Sequence, residues 1–128
     1  MPQSTADARG AAGLRAMAVV HRDRGVAKHA VLGLVKVAAL EGAAAGLTAN
    51  AVAPGWMRTP LADNQIRDHI RLRGIGRDDV IASMVAEQPA RRFVDPAEVA
   101  ALITFLAGDG GSAINGACIP VDTGTLAS

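Results

Sequence analysis

Apolar residues recur at helical spacing from Val26 to about Ala44. Val26, Ala30, Leu34, Val37 and Leu40 mark one stripe, and Val31, Val35, Ala38 and Ala39 widen it until it almost encircles the segment. Only Lys28, His29, Lys36 and Glu41 interrupt it. This predicts a long helix that packs on a sheet with one face and on another helix or another chain with the other. Gly46 suits a left-handed cap at its end. Leu47 to Ala53 then reads as a short apolar strand stopped by Pro54–Gly55. A long helix feeding a short apolar strand is the second half of a βαβ unit, so the sheet is expected to be parallel and covered. Residues 1–22 carry no such pattern and read as a tail or a frayed helix.

Downstream, Thr59–Pro60 opens a helix with Leu61, Gln65, Asp68, His69 and Leu72, which Gly74 and Gly76 break. Asp78–Asp79 starts another, with Val80, Ile81, Met84 and Val85 on its apolar face and Gln88–Pro89 at its close. Two short helices between a strand and the next long helix make an excursion over about 61–88, of the kind that folds over a ligand as a lid. Asp95–Pro96–Ala97–Glu98 has the residues of a capping box with Pro at the first helical position. Val99, Leu102, Ile103 and Leu106 form the buried face that follows, and Gly108 to Gly111 end it. Ala117 to Asp122 is the second strand. Pro120 lacks an N–H, which places it at an edge or with its free side outward. The order is helix, strand, two short helices, helix, strand, tail. Two strands are too few for a stable covered sheet, so other strands are expected to be supplied elsewhere or to be missing.

At 128 residues and 13.0 kDa the chain is one small domain. With 50% hydrophobic and 20% charged residues it is too apolar to be disordered. The net charge of +1 leaves no electrostatic footprint for nucleic acid or an anionic membrane. Arg67, Arg71, Arg73 and Arg77 interleave with Asp68, Asp78 and Asp79, as on a solvated helix face. The lone Cys118 excludes an internal disulfide and is expected to be a small buried hydrophobe. No apolar run reaches bilayer length and no secretory signal is evident, so a soluble cytoplasmic protein is expected. His21, His29 and His69 show no metal-ligand spacing with one another or with Cys118. Neither a GxGxxG nor a Walker phosphate loop is present.

Four features could carry chemistry. Lys28, early in an apolar helix, is either a catalytic or ribose-binding ammonium or a snorkelling surface lysine. The stretch from Asn50 to Pro60 runs from a strand end into Pro54–Gly55 and then Thr59. It is either a ligand-binding loop at the carboxyl end of a parallel strand or an ordinary strand-to-helix connection. In the first case the Pro–Gly turn lets backbone approach a ligand, and Thr59 offers a hydroxyl and an N–H near a helix start. Trp56, on that loop, caps a small substrate or fills the gap beneath the lid. Gln65, on the first lid helix, reaches inward or lies in solvent.

Taken together, Val26–Ala27–Lys28–His29–Ala30 through Leu40–Glu41, Asn50 to Pro60, and Phe93 to Asp122 resemble the C-terminal half of a short-chain dehydrogenase/reductase. The resemblance covers about residues 25–125. The lid text, with Thr59–Pro60–Leu61, Gln65–Ile66, Gly74–Ile75, Asp78–Asp79–Val80 and Glu87–Gln88–Pro89, resembles the branch that interconverts 3-hydroxybutyrate and acetoacetate with NAD. The resemblance implies the C-terminal portion of a doubly wound α/β Rossmann-like parallel sheet, lacking its first five strands, after an unpatterned segment 1–24. It implies that Lys28 is catalytic and holds the nicotinamide ribose, and that Pro54, Gly55 and Thr59 line the NAD site. It implies that Trp56 and Gln65 enclose a small hydroxy or keto acid. It further implies assembly of a homo-oligomer through helix 26–41, which is also the basis of an alternative reading as a non-catalytic interaction protein. The family's catalytic Tyr falls on Arg24 and its Ser on Ala11, the chain holds no Tyr at all, and the family's Asp–Gly–Gly reads Asp122–Thr123–Gly124. These departures lead to the expectation of impaired catalysis, and the break in resemblance near Gly25 to that of a truncated or frame-disrupted gene product.

Overall fold

A computed structural model describes residues 15–19 and 26–127. The sheet comprises β1 (Arg15–Val19), β2 (Thr48–Pro54) and β3 (Cys118–Val121), all parallel, in the order β1-β2-β3. The helices are α1 (Val26–Gly42), α2 (Pro60–Arg73), α3 (Arg77–Ala86) and α4 (Pro96–Ala107). The α/β reading therefore holds, with one strand more than the sequence pattern suggested. Residues 15–19 are not a tail or a frayed helix: Arg15 aligns with Thr48 and Val19 with Val52 in a parallel ladder. Ala and Met favour helix in isolation, but pairing with a buried central strand overrides that local preference.

β2 is the spine of the molecule. Its side chains alternate between two covered faces, as the period of a strand requires. Ala49 and Ala51 meet Val35 and Ala39 of α1 on one side. Val52 meets Val94, Val99 and Leu106 on the other, where α4 lies. The alanines on the α1 side bury little area each but let the helix seat close to the strand. α1 ends in a short 3-10 turn and Gly46 at φ 76°, the left-handed cap expected there.

The all-round apolar character of α1 is not matched by all-round burial. Val35 and Ala39 are buried, whereas Leu34 (68%), Val37 (49%) and Leu40 (80%) are exposed. Cys118 corrects another expectation: it is exposed, not a buried hydrophobe. β3 is the edge strand that Pro120 suggested, and Cys118 and Pro120 share its outward face while Ile119 and Val121 turn inward.

α4 starts as its sequence dictates. The Asp95 carboxylate accepts from Ala97 N–H at 2.8 Å and the Glu98 carboxylate from Asp95 N–H at 2.9 Å. Arg92 adds two parallel bonds to Glu98 at 2.7 and 2.8 Å. These donors, Arg92 first and Asp95 N–H second, hold the Glu98 carboxyl at about 2, below its ordinary 4.5. Because the folded value is depressed, this contribution is present above the unfolded value near 4.5 and is lost as pH falls through about 2. The stability difference between the chain and its Glu98→Gln variant should therefore close across that window, as acid titration of urea midpoints would show.

Candidate functional site at the carboxyl edge of the sheet

The parallel ladder puts the carboxyl ends of all three strands on one edge, where ligands bind in open α/β sheets. α1 runs back from that edge, so its first turn, with Lys28, sits there too. The side chain of Lys28 lies outside the described residues. Pro54 ends β2 and Gly55 follows it, both buried. The structure thus brings the first turn of α1 and the Pro54–Thr59 loop to the same end of the sheet.

Two asparagines lock the opposite, amino edge of the sheet. The Asn50 side chain, 2% exposed, donates to Ile114 C=O at 2.8 Å and accepts from Ala117 N–H at 3.0 Å. Asn115 reciprocates, accepting from Ala49 N–H at 2.9 Å and donating to Ala39 C=O at 3.0 Å. α1, β2 and the turn before β3 are thereby locked through side chains that the sequence reading left without a role. An amide inside an otherwise apolar strand was the signal available for Asn50, because buried polar groups demand partners.

Gly55 has a steric reason for being glycine that its sequence did not show. A Cβ there would run into Gln88 Oε1 and lie 2.9 Å from Asp122 Cα. The close approach is between parts of the protein itself. Thr59 is the N-cap of α2, its Oγ1 accepting from Ala62 N–H at 3.3 Å, with Pro60 next. Its hydroxyl oxygen therefore already serves the helix, at the positive end of a 14-residue dipole.

The excursion predicted as a lid is two helices with their own core. Ile66, Val80 and Met84 are buried there, and Trp56, Ile70, Ile75, Ile81 and Phe93 pack around them. Trp56 thus packs beneath these two helices. Gln65 is half-buried on α2. Arg77 bridges to Asp63 at 2.8 Å and ties the start of α3 to that of α2. The base of the excursion is zipped shut by a parallel bridge between Met57 and Val94, with Val94 N–H donating to Trp56 C=O at 2.8 Å.

After β3 the chain turns on Asp122, whose carboxylate accepts from Gly124 N–H at 3.0 Å and Leu126 N–H at 2.9 Å. Between Asp122 and Gly124, Thr123 is at φ 55°, where a β-branched residue is strained, and its buried hydroxyl has no hydrogen-bond partner. Thr123→Gly relieves both and should stabilise the chain by about 1 kcal/mol, the scale of the left-handed penalty. A higher urea midpoint at unchanged slope would show it.

Among the described residues no group of three or more His, Cys, Asp or Glu could hold a metal ion. No helix of the described chain is long and apolar enough to cross a membrane.

Residues 10–125 match the family model described as enoyl-(acyl carrier protein) reductase. The match reaches back through β1, upstream of the motifs that carry the resemblance from about residue 25. The chain is 42% identical over 102 residues to a D-beta-hydroxybutyrate dehydrogenase of Rhizobium meliloti, covering 79% of this chain and 40% of that relative. Its fold is similar to a short chain dehydrogenase family protein from Francisella tularensis, with TM-score 0.76 and 33% identity over 79% of this chain and 42% of the other. It is also similar to a variant actinorhodin polyketide ketoreductase with NADPH, with TM-score 0.80 and 28% identity over 89% and 48%. The chain spans about two-fifths of the length of the curated relatives it matches. With a family match over most of its length, a parallel sheet open at its carboxyl edge and a two-helix excursion after β2, the chain belongs to the short-chain dehydrogenase/reductase family.

Proposed function

We propose that this chain carries the nicotinamide-facing portion of an NAD-dependent site for interconverting 3-hydroxybutyrate and acetoacetate, and that it turns over slowly by itself. The observation that carries the reading is the Pro54–Thr59 loop at the carboxyl edge beneath its lid, in a chain similar to D-beta-hydroxybutyrate dehydrogenases. The donor set fits the nicotinamide end of such a cofactor: an ammonium at Lys28 for ribose hydroxyls, and the N-terminus of α2 with Thr59 for an amide or phosphate oxygen. Bound NAD would supply the hydride acceptor. Pro54 and Gly55 form the floor, and Trp56 and Gln65 close the side facing the small acid.

Slow turnover follows from the residue at the acid–base position. Arg24 stands four residues before Lys28, where the family resemblance places a tyrosine. A guanidinium does not give up its proton at accessible pH. Losing a positioned general acid costs about a hundred- to ten-thousandfold in rate. NADH formation from 3-hydroxybutyrate should therefore run at least about a hundredfold below that of the Rhizobium meliloti relative under matched conditions. Comparable rates would contradict the proposal.

A second reading rests on Leu34, Val37 and Leu40, an exposed apolar stripe on α1. It holds that the chain associates with a second copy through that helix. Sedimentation over a range of concentrations tests it: Leu40→Glu should shift the boundary to monomer, and an unchanged monomeric boundary for both chains would exclude it.

A further inference from the structure

We propose that Gln88 is a positioning residue, holding Trp56 and thereby the lid against the carboxyl edge of the sheet. The inference rests on the reading of Trp56 as a wall of the acid site, and adds what sets that wall in place. Gln88 is 1% exposed, and a buried carboxamide is retained where both its ends are bonded. Its Oε1 accepts from Trp56 N–H at 3.1 Å, across 32 residues of chain. Its Nε2 donates to Arg92 C=O, inside the turn where Arg91 takes the left-handed φ of 52°. The neighbouring Glu87 accepts from the Trp56 indole N–H at 3.1 Å.

One dipeptide thus grips the tryptophan at backbone and ring. It does so at the point where α3 has ended and the chain returns toward α4. Gly55 is left without room for a side chain by this same carboxamide. The indole is at once part of the lid's apolar core and, in the proposed site, the surface presented to the acid. Releasing it loosens the lid and reshapes the wall together. An apolar residue of similar size at position 88 would fill the volume but hold nothing.

Trp56 is the only tryptophan, so its emission reports this contact directly. The test compares the chain with Gln88→Met, Glu87→Ala and Glu87→Gln. Gln88→Met should red-shift the emission and speed tryptic cleavage at Arg67 to Arg77 about tenfold, the scale expected when a buried hydrogen bond at the lid base is lost. Glu87→Ala, an exposed change that leaves the core intact, should red-shift the emission. Glu87→Gln should restore it, because the amide oxygen still accepts from the indole. Emission and cleavage unchanged in Gln88→Met at a temperature where it is folded would overturn the positioning role. Quenching by acetoacetate reads the acid site separately. Quenching of the parent chain with about tenfold weaker affinity in Gln88→Met supports both statements. Absent quenching in the parent, with the emission and cleavage changes present, overturns the acid-site reading and leaves the grip on Trp56 standing.

Discussion

Asn50→Ala is expected to destabilise the chain by about 3 kcal/mol, because it strands two partly buried backbone groups at roughly 1–3 kcal/mol each. The groups are Ile114 C=O and Ala117 N–H, which Asn50 joins to the centre of β2. Nothing else in the neighbourhood substitutes readily, because Asn115 is already committed to Ala49 N–H and Ala39 C=O. On a domain of this size the loss should lower the thermal midpoint by about 10 °C. Asn50→Asp separates the two bonds. It keeps the acceptor for Ala117 N–H but sets a carboxylate oxygen against Ile114 C=O, so it should also destabilise. A variant as stable as the parent would mean that the turn before β3 is held by its backbone alone.

Gly55→Ala should cost about 1–3 kcal/mol by overpacking. The new methyl meets Gln88 Oε1 on one side and Asp122 Cα on the other, and only one of these belongs to a side chain. Gln88 cannot simply swing away, because it is buried and bonded to Trp56 N–H and Arg92 C=O. Asp122 cannot retreat without straining the turn whose N–H groups it caps. Calorimetric melting of the variant should show a depressed midpoint, with Trp56 emission altered below the transition. A neutral substitution would show that the strand-end loop is looser than its contacts imply.

The parts of the fold that were legible in sequence are those set by local rules. The capping box at Asp95–Glu98, the left-handed Gly46 and the helix break at Gly74 each follow from nearest-neighbour chemistry, and each is present. β1 was not legible because Arg15 to Val19 is a strand only by virtue of its partner β2. Cys118 was misplaced for a related reason. An apolar run in sequence does not say which of its alternating positions faces out, and on an edge strand that decides exposure. The loop from Pro54 to Thr59 was legible as the connection leaving a strand end. Gln88, Asn50 and Asn115 were not, since their roles lie in bonds to residues 32 to 76 positions away. Gly55 was singled out for a turn that lets backbone approach a ligand; that Gln88 and Asp122 fill the space of a Cβ there is a contact no local pattern shows.

The proposed function requires the carboxyl edge of the sheet to bind the nicotinamide side of a dinucleotide. Thermal unfolding followed by circular dichroism, without and with millimolar NAD, reads that binding. A ligand that binds only the folded state raises its stability by linkage. One cooperative transition is expected, with a midpoint that rises with NAD and rises less in Lys28→Ala. A cooperative transition that NAD leaves unmoved would contradict it.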